Sequence, residues 1–270
     1  MTDATSSPTP TPPMDNNRPG ECPSHGEFTD EYLELPGLNG WSGCPQCRID
    51  RLQASNRERE DRERQQRRED ARQRRAKADE ARYAGAMIPE RYKDRTLASY
   101  VAENPGQVKA LKICRAYVAR WDECKQTCRC LTFLGTVGTG KTHLAAAIAN
   151  EILAGGGTAL FRSVTDAIRL VKSSYGVGRA ISEDEAYAML REPDLLVLDE
   201  VGAVPLSVHD LGVLHQIVAD RYGAKRPIIF TSNAKTTEEL EQLVGDRIVD
   251  RVLEAKGVLV EFDWASHRRG

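Results

Sequence analysis

From about Met87 onward, short runs of apolar residues alternate with longer stretches whose apolar positions recur three and four residues apart. Leu131-Thr132-Phe133-Leu134, Thr158 to Phe161, Asp194 to Glu200, Pro227 to Asn233 and Val258 to Phe262 are the short runs, and each predicts a buried strand. Between them, Leu144 to Ala149, Thr165 to Tyr175, Glu183 to Leu190, Ser207 to Tyr222, and residues of about 236–243 and 246–254 predict helices, the first stopped by Gly155-Gly156-Gly157. Strands that are apolar throughout, each followed by a helix, imply an α/β fold: a parallel five-stranded sheet covered on both faces.

The pattern changes upstream. Arg51 through Arg82 is almost wholly polar and charged, without Pro or Gly. Residues 51–84 therefore predict a charged helical linker, solvated all round and held by ion pairs four residues apart. Residues 1–20 are rich in Pro, Thr and Ser and predict a disordered tail. Residues 21–50 form a small cysteine-containing module, and residues 85–270 the main domain.

Bulk properties narrow the function classes. A net charge of −2 gives no global basic field, so any nucleic-acid surface is local. No apolar run approaches the roughly 18 residues of a membrane span, and the N-terminus lacks an apolar signal core. A cytoplasmic protein with no membrane association is expected, and the seven cysteines then read as thiols or metal ligands rather than disulfides.

Chemistry enters at the end of the first strand. Gly135-Thr136-Val137-Gly138-Thr139-Gly140-Lys141-Thr142 is a complete G-x-x-x-x-G-K-[ST] loop between a strand and a helix. Its glycines let backbone N–H groups fold around phosphate oxygens at the positive end of the helix. Lys141 would reach the β- and γ-phosphates, the Thr142 hydroxyl would ligate Mg²⁺, and His143 is grouped with the nucleotide-binding residues. Leu195-Leu196-Val197-Leu198-Asp199-Glu200 is an hhhhDE strand, with Asp199 for Mg²⁺ and Glu200 to polarise an attacking water. Asn233, at the end of the following strand, is placed to orient that water. ATP hydrolysis is the implied reaction.

Cys22-Pro-Ser-His25 and Cys44-Pro-Gln-Cys47, separated by 18 residues, offer four ligands for one tetrahedral Zn²⁺. Phe28, Tyr32, Leu33, Leu35, Leu38, Trp41 and Ile49 are too few to fold this segment unaided, so a metal staple would also explain its order. Cys114, Cys124, Cys128 and Cys130 lack ligand spacing and are expected to be ordinary thiols.

The strand order around Asn233 resembles an AAA+ ATPase, in which Asn233 corresponds to sensor 1. Met87-Ile88-Pro89-Glu90-Arg91-Tyr92, the phosphate loop, Val197 to Gly202, Gly245-Asp246-Arg247-Ile248-Val249-Asp250-Arg251 and the closing Phe262-Asp263-Trp264-Ala265-Ser266-His267-Arg268 narrow the likeness. Together they resemble the DnaC family of replicative helicase loaders over residues of about 85–270. The resemblance implies Arg247 as an arginine finger completing a neighbour's site, hence self-association, and Arg268 as sensor 2. His267 stands where an aromatic more often precedes that arginine. The helix near Val164–Tyr175, with Ser207 and His209, would face single-stranded DNA; Tyr175 either stacks on a base or packs on its own domain. Arg162, Arg169 and Lys172 would supply backbone charge.

By the same likeness the chain would load a DnaB-type replicative helicase onto single-stranded DNA. The cysteine module would grip the helicase, or alternatively bind nucleic acid. The competing reading is an IstB-like transposition helper that binds duplex DNA and a transposase. A non-catalytic zinc-and-nucleotide adaptor is opposed by the intact Lys141, Asp199, Glu200 and Arg247.

Overall fold

A computed structural model describes residues 15–35, 38–176, 179–254 and 256–267. The chain divides into two units, Met1–Arg74 and Arg75–Gly270. In the first, strands β1 (Asn17–Cys22), β2 (Gly26–Leu35) and β3 (Leu38–Trp41) pair antiparallel in that order. The first strand overlaps the 20 residues expected as a tail. Strand β1 begins at Asn17, because Arg18 to Cys22 pair with Gly26 to Asp30 across a hairpin; residues 1–14 lie outside the described chain.

Asp30 anchors this ribbon. The residue is 4% exposed, and its carboxylate accepts from Arg18, from the Ser42 hydroxyl at 3.3 Å and from the Gly43 N–H at 2.7 Å. The Arg18 guanidinium also lies 4.0 Å from the centre of the Trp41 ring, which meets Tyr32 edge-on. Ile49, one of the residues expected in the small core, is exposed.

Helix α1 runs from Pro45 to Gly85, 41 residues with none buried. At 1.5 Å per residue it is about 60 Å long. Ion pairs Arg59–Glu63 at 3.0 Å and Arg62–Glu58 at 3.6 Å realise the expected four-residue spacing. The helix starts earlier than the predicted linker, so Cys47 sits in its first turn.

The second unit contains α2 (Pro105–Ala119), α3 (Trp121–Gln126), β4 (Leu131–Gly135), α4 (Lys141–Ala154), β5 (Ala159–Ser163), α5 (Val164–Ser173) and α6 (Glu183–Arg191). It continues with β6 (Leu195–Val201), α7 (Val208–Gly223), β7 (Ile228–Ser232), α8 (Thr237–Val244), α9 (Asp246–Glu254) and β8 (Val258–Phe262). The five strands form a parallel sheet in the order β5-β6-β7-β4-β8. Successive residues serve opposite faces: Leu131, Phe133, Leu195, Val197 and Ile229 meet α2 and α4, whereas Leu134, Leu196, Leu198, Ile228 and Phe230 meet α5 to α9. Two buried faces require the uninterrupted apolar strands seen in the sequence.

Helix α2 was not expected. Asn104 caps it, Pro105 opens it, and Gln107 reaches back in a reciprocal capping box. Arg221, fully buried on α7, fixes the start of β6. Its guanidinium donates to the carbonyls of Leu190, Arg191, Pro193, Asp194 and Pro227. Burial pushes its pKa down to about 9, and the ring of carbonyl dipoles compensates the buried charge. Cys114, Cys124, Cys128 and Cys130 are buried free thiols, as expected.

Candidate functional site

The loop from Gly135 to Thr142 crosses the carboxyl end of β4, the strand flanked by β7 and β8. From the neighbouring strands β4 and β7 the chain departs in opposite directions, β4 through α4 to the β5 edge and β7 through α8 and α9 to the β8 edge, the position where open parallel sheets take ligands. Two glycines are sterically required. A Cβ on Gly135 would lie 2.2 Å from the Phe262 carbonyl oxygen, and Gly140, with φ +94°, faces the Tyr100 ring. The Lys141 ammonium is buried and donates to the carbonyls of Gly135 at 2.6 Å and Thr136 at 2.7 Å. The Thr139 hydroxyl closes the loop on the Thr136 carbonyl at 2.9 Å.

The acids arrive from β6. Thr142 donates through its hydroxyl to Asp199 Oδ1 at 3.1 Å, and the Thr231 hydroxyl of β7 donates to the same oxygen. Burial pushes the Asp199 carboxyl above its usual range, opposed by these two hydrogen bonds and by the charge of Lys141. Glu200 is exposed with φ +61°, the left-handed region that a glutamate seldom occupies. Asn233 is exposed just past β7. Lys141, Thr142, His143, Asp199, Glu200 and Asn233 all line one cavity of about 250 Å³.

Five further lining residues carried no assigned role in the sequence: Arg91, Tyr92, Thr231, Ser232 and His267. Asn150 of α4 holds the segment that carries Tyr92, donating to the carbonyls of Tyr92 at 2.9 Å and Arg95 at 2.8 Å. His267 is held by its N–H on the Gly138 carbonyl at 3.0 Å. Nearby, the Trp264 indole N–H donates to the Thr139 carbonyl at 2.9 Å. His143 meets Tyr100 edge-on, and burial with Arg95 nearby lowers its pKa. Arg247 is exposed on α9 and does not line this cavity; its neighbour Arg251 contacts His215 Nε2 at 3.0 Å. Arg268 lies outside the described residues.

The residues expected at DNA separate into two groups. Tyr175 and His209 have ring centroids 5.8 Å apart at an open groove also lined by Tyr187, Glu183, Asp184 and Asp220. Ser207 instead caps α7 in a reciprocal box with Asp210. Lys172 is paired with Asp210 at 3.0 Å and Arg169 with Asp166 at 2.9 Å, so these two cations are already engaged; Arg162 lies at the end of β5.

In the first unit, Cys22 ends β1, His25 sits in the hairpin turn, Cys44 precedes α1 and Cys47 enters its first turn. Their donor atoms all lie within 4.8 Å of one another. The Cys22 and Cys47 sulfurs are 3.5 Å apart, and His25 Nδ1 is 3.6, 3.6 and 3.3 Å from the sulfurs of Cys22, Cys44 and Cys47. A tetrahedral metal with thiolate bonds of about 2.3 Å requires edges of about 3.7 Å, so the set is close to that shape. The other ring nitrogen, Nε2, lies 3.0 Å from Asp50, the second partner that metal-binding imidazoles generally have. Hydrogen bonding from the Ser24 backbone draws the Cys22 thiol down to about 6, while its neighbour Cys47 is pushed up to about 11 by its hydrogen bond with Cys22.

A parallel sheet in this order, a phosphate loop on β4, paired acids on β6 and a polar residue after β7 define an ATP-hydrolysing P-loop ATPase of the AAA+ type. The chain matches the family described as "IstB-like ATP binding protein" over residues 56–267, and it belongs to that family. It is 36% identical over 170 residues to the replicative helicase loader DnaC of Escherichia coli (strain K12), covering 63% of this chain and 67% of that relative. Among solved structures, that of the DnaC helicase loader superposes with a TM-score of 0.58 at 26% identity, covering 64% of this chain and 98% of the other. DnaI superposes with a TM-score of 0.56 at 25% identity, covering 67% and 95%. The resemblance to DnaC-type AAA+ loaders holds in both sequence and fold.

Proposed function

We propose that this chain is an ATP-dependent loader that binds a hexameric DnaB-type replicative helicase and delivers it onto single-stranded DNA in the cytoplasm. One observation carries the reading: a single cavity gathers Lys141, Thr142, Asp199, Glu200 and Asn233 in a chain whose relatives are named replicative helicase loaders. Those relatives favour it over the transposition helper.

In this reading Lys141 contacts the β- and γ-phosphates, while Thr142 and Asp199 hold Mg²⁺. Bound there, Mg²⁺ would neutralise charge on the phosphate oxygens. Glu200 draws a proton from the attacking water and Asn233 orients that water. Arg247 completes the cavity of a neighbouring subunit, which its exposed position on α9 supports, and Arg268 follows from the resemblance alone. The Cys22, His25, Cys44 and Cys47 set takes structural Zn²⁺, because four protein donors leave no open position. Its module is the helicase grip. For single-stranded DNA the support is the Tyr175–His209 ring pair; the acids around the groove limit contact with phosphate there.

Two measurements test this. Glu200→Gln should lower ATP turnover about 100-fold or more, and undiminished turnover would remove the catalytic assignment. The full chain should capture the host replicative helicase and carry about one zinc. Cys44→Ser/Cys47→Ser and a deletion of residues 1–50 should both lose capture, and retained capture would overturn the partner assignment.

A further inference from the structure

The ladder between β6 and β7 is irregular at the two acids. Leu196, Val197 and Leu198 pair with Ile228, Ile229 and Phe230, and pairing then resumes at Val201 with Ser232. Two residues on β6, Asp199 and Glu200, thus oppose the single Thr231 on β7. This is a β-bulge, a device that re-aims side chains next to active sites. It explains the left-handed φ of +61° at Glu200 and why that side chain is exposed although β6 is otherwise buried.

A bulge releases backbone groups from the ladder, and they need other partners. Here hydroxyls of β7 take their place. The Glu200 N–H donates to Thr231 Oγ1 at 3.1 Å, and the Thr231 hydroxyl donates its proton to Asp199 Oδ1. One residue further, the Ser232 hydroxyl donates to the Val201 carbonyl at 2.7 Å. Thr231 is 2% exposed, so water has little access to substitute for its hydroxyl. A single oxygen therefore joins the carboxylate of one acid to the main chain of the next. Threonine suits the position, since its β-branch restricts χ1 and fixes where that oxygen points.

We propose that Thr231 is the positioning residue for hydrolysis, setting the placement of Glu200 relative to Asp199 without itself transferring a proton. The proposal rests on the reading of Glu200 as the group that polarises water. Thr231→Val keeps the shape of the side chain and removes the bridge. It should lower kcat about tenfold or more while the KM for ATP changes less than about threefold, the pattern of an interaction that matters only in the transition state. Thr231→Ser should retain turnover within about threefold of wild type.

Thr231→Val with wild-type kcat would overturn the proposal, as would a raised KM at unchanged kcat, which would make the hydroxyl a binding group. If the valine variant does not fold, Thr231→Ala against Thr231→Ser makes the same comparison, and equal turnover in the two would overturn it. Glu200→Gln, measured alongside, separates the two levels. A fully active Glu200→Gln overturns the underlying reading and the proposal with it. An inactive Glu200→Gln beside a fully active Thr231→Val overturns the proposal alone.

Discussion

Ser207 shows how a residue assigned by resemblance acquires a different role once its neighbours are known. Its hydroxyl accepts from the Asp210 N–H at 3.2 Å and donates to Asp210 Oδ2 at 2.6 Å, while Asp210 also accepts from the Ser207 N–H. Ser207→Ala removes an N-cap, which typically costs about 1 kcal/mol, or about 2–4 °C in Tm for a domain of this size. The Ser207 hydroxyl and then Lys172 hold the Asp210 carboxyl at about 2, below its ordinary 3.8. A depressed carboxyl contributes stability that is present above the unfolded value and lost as pH falls through the folded one. That contribution should fade between about pH 4 and 2, and less steeply in Ser207→Ala, as Tm measured against pH would show. An unchanged Tm with weakened single-stranded DNA binding would return Ser207 to the DNA surface. Lys141, Thr142, Asp199, Glu200 and Asn233 were legible in the sequence because motifs fix their spacing. Thr231, Ser232, Arg91, Tyr92 and His267 were not, because each reaches the cavity through tertiary contacts that no local pattern encodes.

At the scale of elements, all five strands of the parallel sheet were legible because burial on both faces demands unbroken apolar runs. The β1–β3 ribbon was hidden, since Pro19, Gly20, Glu21 and Glu27 dilute any alternation and Asp30, a charged residue, is its anchor. Helix α2 had a legible start in Asn104-Pro105 and Gln107, overlooked beside the stronger motifs downstream. The segment after β8 could not be placed from sequence either. It turns over the phosphate loop, where Trp264 covers Gly106 and meets Phe262 at 4.8 Å while its indole N–H binds the Thr139 carbonyl. Trp264→Phe keeps an aromatic ring and loses that hydrogen bond, worth about 0.5–1.5 kcal/mol. If the segment holds the loop in its binding shape, ATP affinity should fall about 3- to 10-fold with Tm little changed. A fluorescent-nucleotide titration would show this; unchanged affinity would reduce the segment to a cover.

At the scale of the whole molecule, Arg247 does not line the cavity of its own chain, so as an arginine finger it would serve the site of a second copy. Within its own subunit Arg247 is exposed on α9 and outside the cavity, whereas Ile248, Val249 and Val252 bury the opposite side of the same short helix. The amphipathic helix thus presents the guanidinium to solvent on a rigid support, as a finger acting in trans requires. A mixing experiment distinguishes this from a surface charge. Arg247→Ala subunits keep Glu200, and Glu200→Gln subunits keep the finger. Each alone should hydrolyse ATP poorly, with Arg247→Ala reduced about 100-fold or more. In a random equimolar mixture about a quarter of the interfaces join an intact Glu200 to an intact Arg247, so turnover should rise to about a quarter of wild type. If Arg247 acted within its own subunit, every chain in the mixture would still lack one essential group and no activity would return. If Arg247→Ala alone were fully active, the arginine would be a surface residue and the proposed finger acting in trans would be overturned.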